Sequence, residues 1–76
     1  MNTQYFQRLQ PIKLNIAYYR KKSGLTQEDL ADRINISRTH MSNIEASNMK
    51  IGPSLELLFE IADVLNVEIV KLFEVR

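Results

Sequence analysis

The sequence is 76 residues long, has a formal net charge of +1, and contains one histidine and no cysteine. A chain of this length forms a single small domain, which buries only about 60% of the surface of its unfolded chain, so dimerisation would add stability. The lack of cysteine excludes a disulfide framework and a thiolate zinc site. A single histidine also excludes a histidine metal cluster and a cysteine–histidine dyad, so we expect no metal, no cofactor and no enzymatic activity.

The charge is distributed unevenly along the chain. Residues 1–50 carry eight Lys or Arg and four Asp or Glu, whereas residues 51–76 carry two and five. This asymmetry is typical of a molecule with one surface for phosphate and another for a different contact. The apolar runs are too short to span a bilayer and the N-terminus lacks a signal-peptide pattern, so we expect a cytoplasmic protein with no membrane contact.

The sequence divides into an N-terminal arm, residues 1–11, and a domain, residues 12–76. The arm contains Tyr5, Phe6 and Leu9. Three apolar side chains are unfavourable in solvent, which favours docking of the arm on the core. The alternative is an arm that reaches DNA or a partner subunit.

The first helix is predicted to begin at Pro11, because a proline in the first turn lacks only an N–H that the helix does not use. Its buried stripe has apolar residues spaced by four and three: Ile12, Ile16 and Tyr19. Lys21 and Lys22 place positive charge in the last turn, where it complements the helix dipole, and Gly24 ends the helix. One interpretation of these two lysines is helix capping alone, and the other adds contact with phosphate. The two roles are compatible.

Residues 26–45 have the pattern of two short helices joined by a tight turn. Thr26 can cap the first of them, whose apolar face is Leu30, Ala31 and Ile34. Asn35 tolerates the left-handed backbone that a tight turn needs. Ser37 can then cap a second helix that runs to Glu45, so the stretch predicts a helix-turn-helix.

The second of these helices is predicted to bury Met41 and Ile44 and to expose a polar face without acidic residues. That face consists of Arg38, Thr39, His40, Ser42 and Asn43. A generic solvated helix mixes both signs of charge. Hydrogen-bond donors and small hydroxyls without carboxylates are what a helix in the major groove of DNA requires.

The C-terminal part predicts two more helices. Ser54 caps the fourth, Asn66 ends it, and a short fifth helix covers residues 67–73 with Leu72 pointing inward. The core stripe of the fourth helix is Leu55, Leu58, Ile61, Ala62 and Leu65. Further apolar residues exceed what one small core can hold: Leu57, Phe59, Val64, Ile69, Val70, Phe73 and Val75. We expect Phe59 and Ile69 to be core.

Part of this apolar surplus is expected to form an interface instead of solvated surface. The candidate residues for a two-fold dimer contact are Val64, Val70, Phe73 and Val75. The alternative is that several of them simply belong to the core.

The chain resembles the phage repressor and Cro type of helix-turn-helix, the XRE family of bacterial regulators. The motifs that carry the resemblance are Gln27-Glu28-Asp29-Leu30-Ala31, Ile36-Ser37-Arg38 and Ile44-Glu45, with Arg20, Gly24-Leu25-Thr26, Pro53-Ser54-Leu55, Ile61-Ala62, Leu65 and Val67 around them. The resemblance covers residues 12–73 and implies an all-α fold, a compact five-helix repressor-like helix-turn-helix domain. The sequence departs from the family at Asn35, where a glycine is usual, and at Ala46-Ser47, near which the family often has a glycine.

The resemblance also implies roles for individual residues. The base-reading positions correspond to Arg38, Thr39 and Asn43. The positions that contact phosphate correspond to Gln27, Ser37, His40, Lys50, Lys21 and Lys22. Arg20 and Glu45 correspond to an ion pair that fixes the first helix against the recognition helix. For Arg38, the alternative is an ordinary exposed arginine.

These observations predict a sequence-specific regulator of transcription that binds double-stranded DNA as a homodimer on a palindromic operator. The recognition helix, residues 37–45, would lie in the major groove. One alternative is an antitoxin or accessory module that binds a partner protein through its C-terminal apolar face. Another is the controller protein of a restriction-modification system. The sequence does not separate these functions.

Overall fold

The computed structural model describes residues 5–75, which form four α-helices and a terminal 3₁₀ helix. The α-helices are α1 (Phe6–Lys22), α2 (Gln27–Arg33), α3 (Arg38–Glu45) and α4 (Leu55–Leu65), and the 3₁₀ helix covers Ile69–Phe73. The all-helical fold is confirmed, but the fifth α-helix is wrong, because this last element is a short 3₁₀ helix. The first four residues of the predicted arm and Arg76 lie outside the described residues. Within residues 5–75, no helix combines the length and apolar character needed to cross a membrane.

The first helix begins earlier than the sequence predicts. It starts at Phe6 instead of Pro11, so Pro11 lies inside it and the second half of the predicted arm is helical. Inside a helix a proline lacks the N–H for one backbone hydrogen bond and its ring crowds the carbonyl four residues earlier, so Pro11 disfavours this extension locally. Tertiary contacts hold these added turns: the Gln10 amide donates to the Ser47 carbonyl at 3.2 Å, and the Leu9 side chain packs so closely on Gly52 that a Cβ there would lie 3.0 Å from it.

Residues with positive φ mark three of the turns. Gly24 (φ 78°) follows α1, Asn35 (φ 59°) follows α2, and Asn66 (φ 56°) follows α4. Asparagine is among the few non-glycine residues that adopt this backbone conformation readily. The predicted left-handed turn at Asn35 is therefore confirmed, and asparagine serves there in place of the family's glycine.

Side-chain caps begin the three shorter α-helices. The Thr26 hydroxyl accepts the Asp29 N–H at 3.0 Å, and the Asp29 carboxylate accepts the Thr26 N–H at 2.9 Å, which together form a capping box. Ser37 caps α3 and Ser54 caps α4 in the same way, at 3.0 and 3.1 Å. All three predicted caps are confirmed, because a cap depends only on residues three positions apart.

The core lies where all five helices meet. Its buried apolar residues are Ile16, Leu30, Ala31, Ile34, Met41, Ile44, Leu58, Ile61, Ala62, Leu65 and Leu72. Ile69 packs against this core, as predicted. Two expectations for α4 are wrong: Leu55 is 60% exposed and Phe59 is 50% exposed. These two residues are four apart and share one face of α4, outside the stripe that the neighbouring helices cover.

Candidate nucleic-acid interface

The helix-turn-helix is built by α2, a tight turn and α3. The turn closes with a hydrogen bond from the Ile36 N–H to the Ala31 carbonyl at 3.0 Å. Met41 and Ile44 are fully buried against the core, as the spacing predicts. Because α3 is anchored by that face, its opposite polar face is left on the surface.

The three side chains predicted to read bases lie on one surface. A shallow concavity of about 230 Å³ is lined by Gln27, Arg38, Thr39, Ser42 and Asn43, which we call the reading surface. Arg38, Thr39 and Ser42 are exposed, while Gln27 and Asn43 are partly buried. The structure therefore brings all three predicted base-reading residues together, with no carboxylate among the lining side chains.

A second concavity of about 530 Å³ adjoins the first and shares Gln27 and Arg38 with it. It lies between the end of α1 and the starts of α2 and α3, and Lys21 also lines it. The exposed side chains of Lys22, His40 and Lys50 line neither concavity. Of the predicted phosphate contacts, Lys21 and Gln27 thus lie next to Arg38.

The predicted partners Arg20 and Glu45 form an ion pair with two hydrogen bonds. Arg20 Nε lies 2.7 Å from Glu45 Oε2, and Arg20 Nη2 lies 2.9 Å from Oε1. The Arg20 and Glu45 side chains are only 9% and 5% exposed. Arg20 Nη1 also donates to the Leu25 carbonyl at 2.8 Å. This planar, bidentate contact fixes the end of α3 against α1.

Gln27 joins the same network from α2. Its amide donates to Glu45 Oε1 at 3.0 Å, so one carboxylate accepts from two helices. The sequence predicted a phosphate contact for Gln27 but not this bond. Because Gln27 also lines the reading surface, the network connects the buried ion pair to the exposed face of α3.

Two polar residues of α1 are buried although the sequence predicted no role for them. Lys13 is 1% exposed, and its ammonium donates to the carbonyls of Asn43 and Ile44, both at 3.0 Å. Burial lowers the pKa of Lys13 from its ordinary value. A signal was present in the sequence: Lys13 stands three residues before Ile16 and seven before Arg20, which places all three on one helical face.

The other missed residue, Asn15, is 2% exposed. Its amide donates to the carbonyls of Leu72 and Glu74 at 3.0 and 2.7 Å. These bonds hold the last described residues of the chain along α1. No local pattern predicts them, because the partners are 57 and 59 residues away.

The residues predicted for the dimer contact do not share one environment. Val70, Phe73 and Val75 are 57%, 46% and 82% exposed, and we call them the C-terminal apolar surface. Val64 differs, because it is partly buried and packs against the core. Two exposed residues of α1 that were not predicted for this contact, Leu14 and Tyr18, line an apolar concavity of about 410 Å³ together with Val75.

Comparisons with known proteins agree with this geometry. A helix-turn-helix family model matches residues 16–72. An uncharacterised HTH-type transcriptional regulator of Methanocaldococcus jannaschii is 42% identical over 62 residues, which cover 82% of this chain and 91% of the relative. An uncharacterised HTH-type transcriptional regulator of Archaeoglobus fulgidus is 37% identical over 62 residues, 82% of this chain and 86% of the relative. The regulator SinR of Bacillus subtilis is 32% identical over 54 residues, 71% of this chain and 48% of SinR. No solved structure matches this chain.

Proposed function

Because the chain belongs to the XRE-type helix-turn-helix family of transcriptional regulators, we propose that it binds a specific double-stranded DNA sequence with α3 in the major groove. The observation that carries the proposal is the reading surface, where Arg38, Thr39 and Asn43 lie on the polar face of α3, whose opposite face is buried. The guanidinium fork of arginine matches the two acceptors of guanine, and the asparagine amide matches adenine. Threonine offers a hydroxyl and a methyl group, which suits several bases.

Phosphate contacts would hold the domain in register on the duplex. Lys21 and Gln27 are the best placed, because they line the concavity next to Arg38. The Ser37 hydroxyl oxygen accepts from the His40 N–H, which leaves its own hydrogen free to donate. Lys22, His40 and Lys50 would add weaker contacts, which carry no sequence information.

We further propose that the protein acts as a homodimer through the C-terminal apolar surface. A two-fold axis would place two copies of α3 about 34 Å apart, one turn of B-DNA, on a palindromic operator. The exposure of Val70, Phe73 and Val75 supports this, because large apolar side chains exposed within one short segment, residues 70–75, favour a protein contact. Val64 would contribute little, since it is partly buried and packs against the core.

Binding-site selection from random DNA tests base reading. Arg38→Ala should lower affinity for the selected site by about 1–3 kcal/mol and relax the preference at one base pair of each half-site. Arg33→Ala is the matched control, because Arg33 is an exposed arginine outside both concavities. If Arg38→Ala and the wild type enrich the same motif with the same information at every position, Arg38 does not read a base.

Analytical ultracentrifugation with half-site and full-site DNA tests the dimer. Val70→Asp should give a folded monomer whose affinity for the full operator falls towards that for one half-site, because linked binding of two half-sites adds about 10²–10⁴ in avidity. Leu55→Asp is the control, since Leu55 is equally exposed but lies on α4. A wild type that stays monomeric and binds both DNAs equally would contradict the dimer and favour an antitoxin or accessory module with a different protein partner.

A further inference from the structure

The recognition helix is well capped at its start but not at its end. Ser37 caps the N-terminus, whereas the C-terminal cap residue, Ala46, is in an extended conformation, and the last turn of α3 contains no basic residue. The Ala46 N–H bonds to the Ser42 carbonyl at 3.0 Å. The following carbonyls of a helix have no partner within the helix, so the next two, Asn43 and Ile44, require an outside donor.

Lys13 supplies that donor from α1. Its Nζ lies 3.0 Å from each of these two carbonyl oxygens. Within residues 5–75 the ammonium makes no ion pair, so these two carbonyl dipoles are what stabilises its charge. A positive charge at the C-terminal end of a helix is also favourable to the helix dipole.

The carbonyls that Lys13 binds belong to the residues next to the functional ones. The Asn43 side chain lines the reading surface, and the peptide group of Ile44 leads directly into Glu45, which holds Arg20 and Gln27. A shift of these two peptide groups would therefore move both Asn43 and the carboxylate that braces Gln27.

We propose that Lys13 is a positioning residue for base recognition, because it caps the recognition helix from α1 and thereby fixes the direction of the Asn43 side chain. The proposal rests on the proposed function. It predicts that loss of the ammonium alters base preference at the position that Asn43 reads and leaves the Arg38 position unchanged, since Arg38 lies in the first turn, which Ser37 caps.

The test combines nuclear magnetic resonance with binding-site selection on the full chain. Lys13→Met keeps a long unbranched side chain but removes the donors, and Lys71→Met is the control at an exposed lysine. In Lys13→Met, amide hydrogen exchange at Glu45 and Ala46 should accelerate about tenfold or more, as expected when a charged hydrogen-bond donor is lost. The selected motif should lose information only at the base pair where Asn43→Ala also loses it. Unchanged exchange, or an unchanged motif, would overturn the proposal.

The wild type provides an independent measurement if Lys13→Met fails to fold. In ¹⁵N spectra of the lysine side chains, the Lys13 ammonium hydrogens should exchange with water at least tenfold more slowly than those of Lys71. An ammonium that exchanges as fast as that of Lys71 would show that the cap does not exist in solution. If the wild type binds no DNA, the proposed function fails and the recognition role with it, while slow exchange at Lys13 would still establish the cap.

Discussion

The two halves of this domain are held together by different kinds of contact. Directional polar contacts join α1 and α2 to α3: the Arg20–Glu45 ion pair, the Gln27 amide on the same carboxylate, and the Lys13 ammonium on two carbonyls. By contrast, α4 is held by buried apolar side chains, Leu58, Ile61, Ala62 and Leu65. The 3₁₀ helix combines both kinds of contact, because Leu72 is buried in the core and the Asn15 amide donates to the Leu72 and Glu74 carbonyls. The ion pair in this half, Lys71–Glu74, is long at 3.6 Å and exposed.

The two kinds of contact constrain a helix to different degrees. Apolar burial stabilises without direction, so it fixes the presence of a helix more strongly than its rotation. A bidentate ion pair and a capped helix end fix orientation as well. Three of these polar contacts converge on α3, the helix that carries the reading surface, where the proposed base recognition would require accurate placement.

The largest stability effect should come from the apolar half. Ile61→Ala removes most of a fully buried side chain and should lower the free energy of unfolding by about 2–5 kcal/mol. Leu55→Ala, on the exposed face of the same helix, is the control and should change it little. Urea denaturation followed by circular dichroism measures both variants. The molecules of Ile61→Ala that remain folded should keep the wild-type base preference. A changed preference would show that the apolar half also sets the placement of α3.

The polar half should respond to a smaller perturbation with a change in recognition. Glu45→Ala leaves Arg20 and Gln27 without their shared acceptor and should cost about 1–3 kcal/mol of stability. In addition, it should weaken discrimination between specific and random DNA, because the end of α3 is released. Glu60→Ala, which removes an exposed carboxylate, serves as the control. Equal melting temperatures for these two variants would show that the ion pair does not stabilise the fold.

The N-terminal caps of α3 and α4 can be removed by the same substitution, one in each half of the domain. Ser37→Ala and Ser54→Ala each remove a serine cap of nearly equal geometry, 3.0 and 3.1 Å, and each should cost about 1 kcal/mol of stability. Only Ser37→Ala should also weaken DNA binding, since it alone alters α3. Thermal unfolding and a DNA titration of both variants decide this. Equal affinities would show that the start of α3 tolerates the loss of its cap.

The smallest effect should be the contribution of the Asp29 carboxylate to the pH dependence of stability. Hydrogen bonds from the Thr26 backbone and then the Thr26 side chain hold the pKa of Asp29 below its ordinary value. The Asp29 carboxylate therefore binds a proton less tightly in the folded state than in the unfolded state. Its stabilisation is complete above the unfolded-state pKa, about 3.9, and is lost as the pH falls through the lower folded-state pKa.

Asp29→Asn should accordingly make the melting temperature less dependent on pH below about 4. At neutral pH it should lower the melting temperature slightly, because the charge in the first turn of α2 is lost. Asp32→Asn on the same helix provides the comparison. If the melting temperatures of both variants fall with pH below about 4 as steeply as that of the wild type, the capping box does not contribute to acid sensitivity.

The sequence predicted best what depends on neighbouring residues. The caps at Thr26, Ser37 and Ser54 and the left-handed turn at Asn35 each involve backbone and side chains a few positions apart, so residue type is informative. The helical stripes of α2 and α3 are equally local. The reading surface followed from these, because burying one face of α3 leaves the other exposed.

Contacts between distant residues account for what the sequence did not predict. Asn15 looks like a solvated residue until the chain end is placed beside it. The position of Lys13 on the buried face of α1 was readable, but the carbonyls that it binds are 30 and 31 residues away. The helix start at Phe6 was also missed, because Pro11 is a strong local signal that Gln10 and Leu9 override through contacts near residues 47–52. Leu55 fits the stripe of α4 by spacing, yet it stands at the first position of the helix and is 60% exposed.

The burial of the Arg20–Glu45 pair has a consequence for how the protein responds to salt. Mobile ions screen charges that face solvent but have little access to a pair whose side chains are 9% and 5% exposed. The proposed contacts between the exposed Lys21 and a phosphate would be of the first kind and would weaken steeply as ionic strength rises. Salt should therefore release this domain from DNA at concentrations that leave the internal brace of α3 intact. The released protein would keep its recognition helix in place and would be ready to bind again once the salt is diluted.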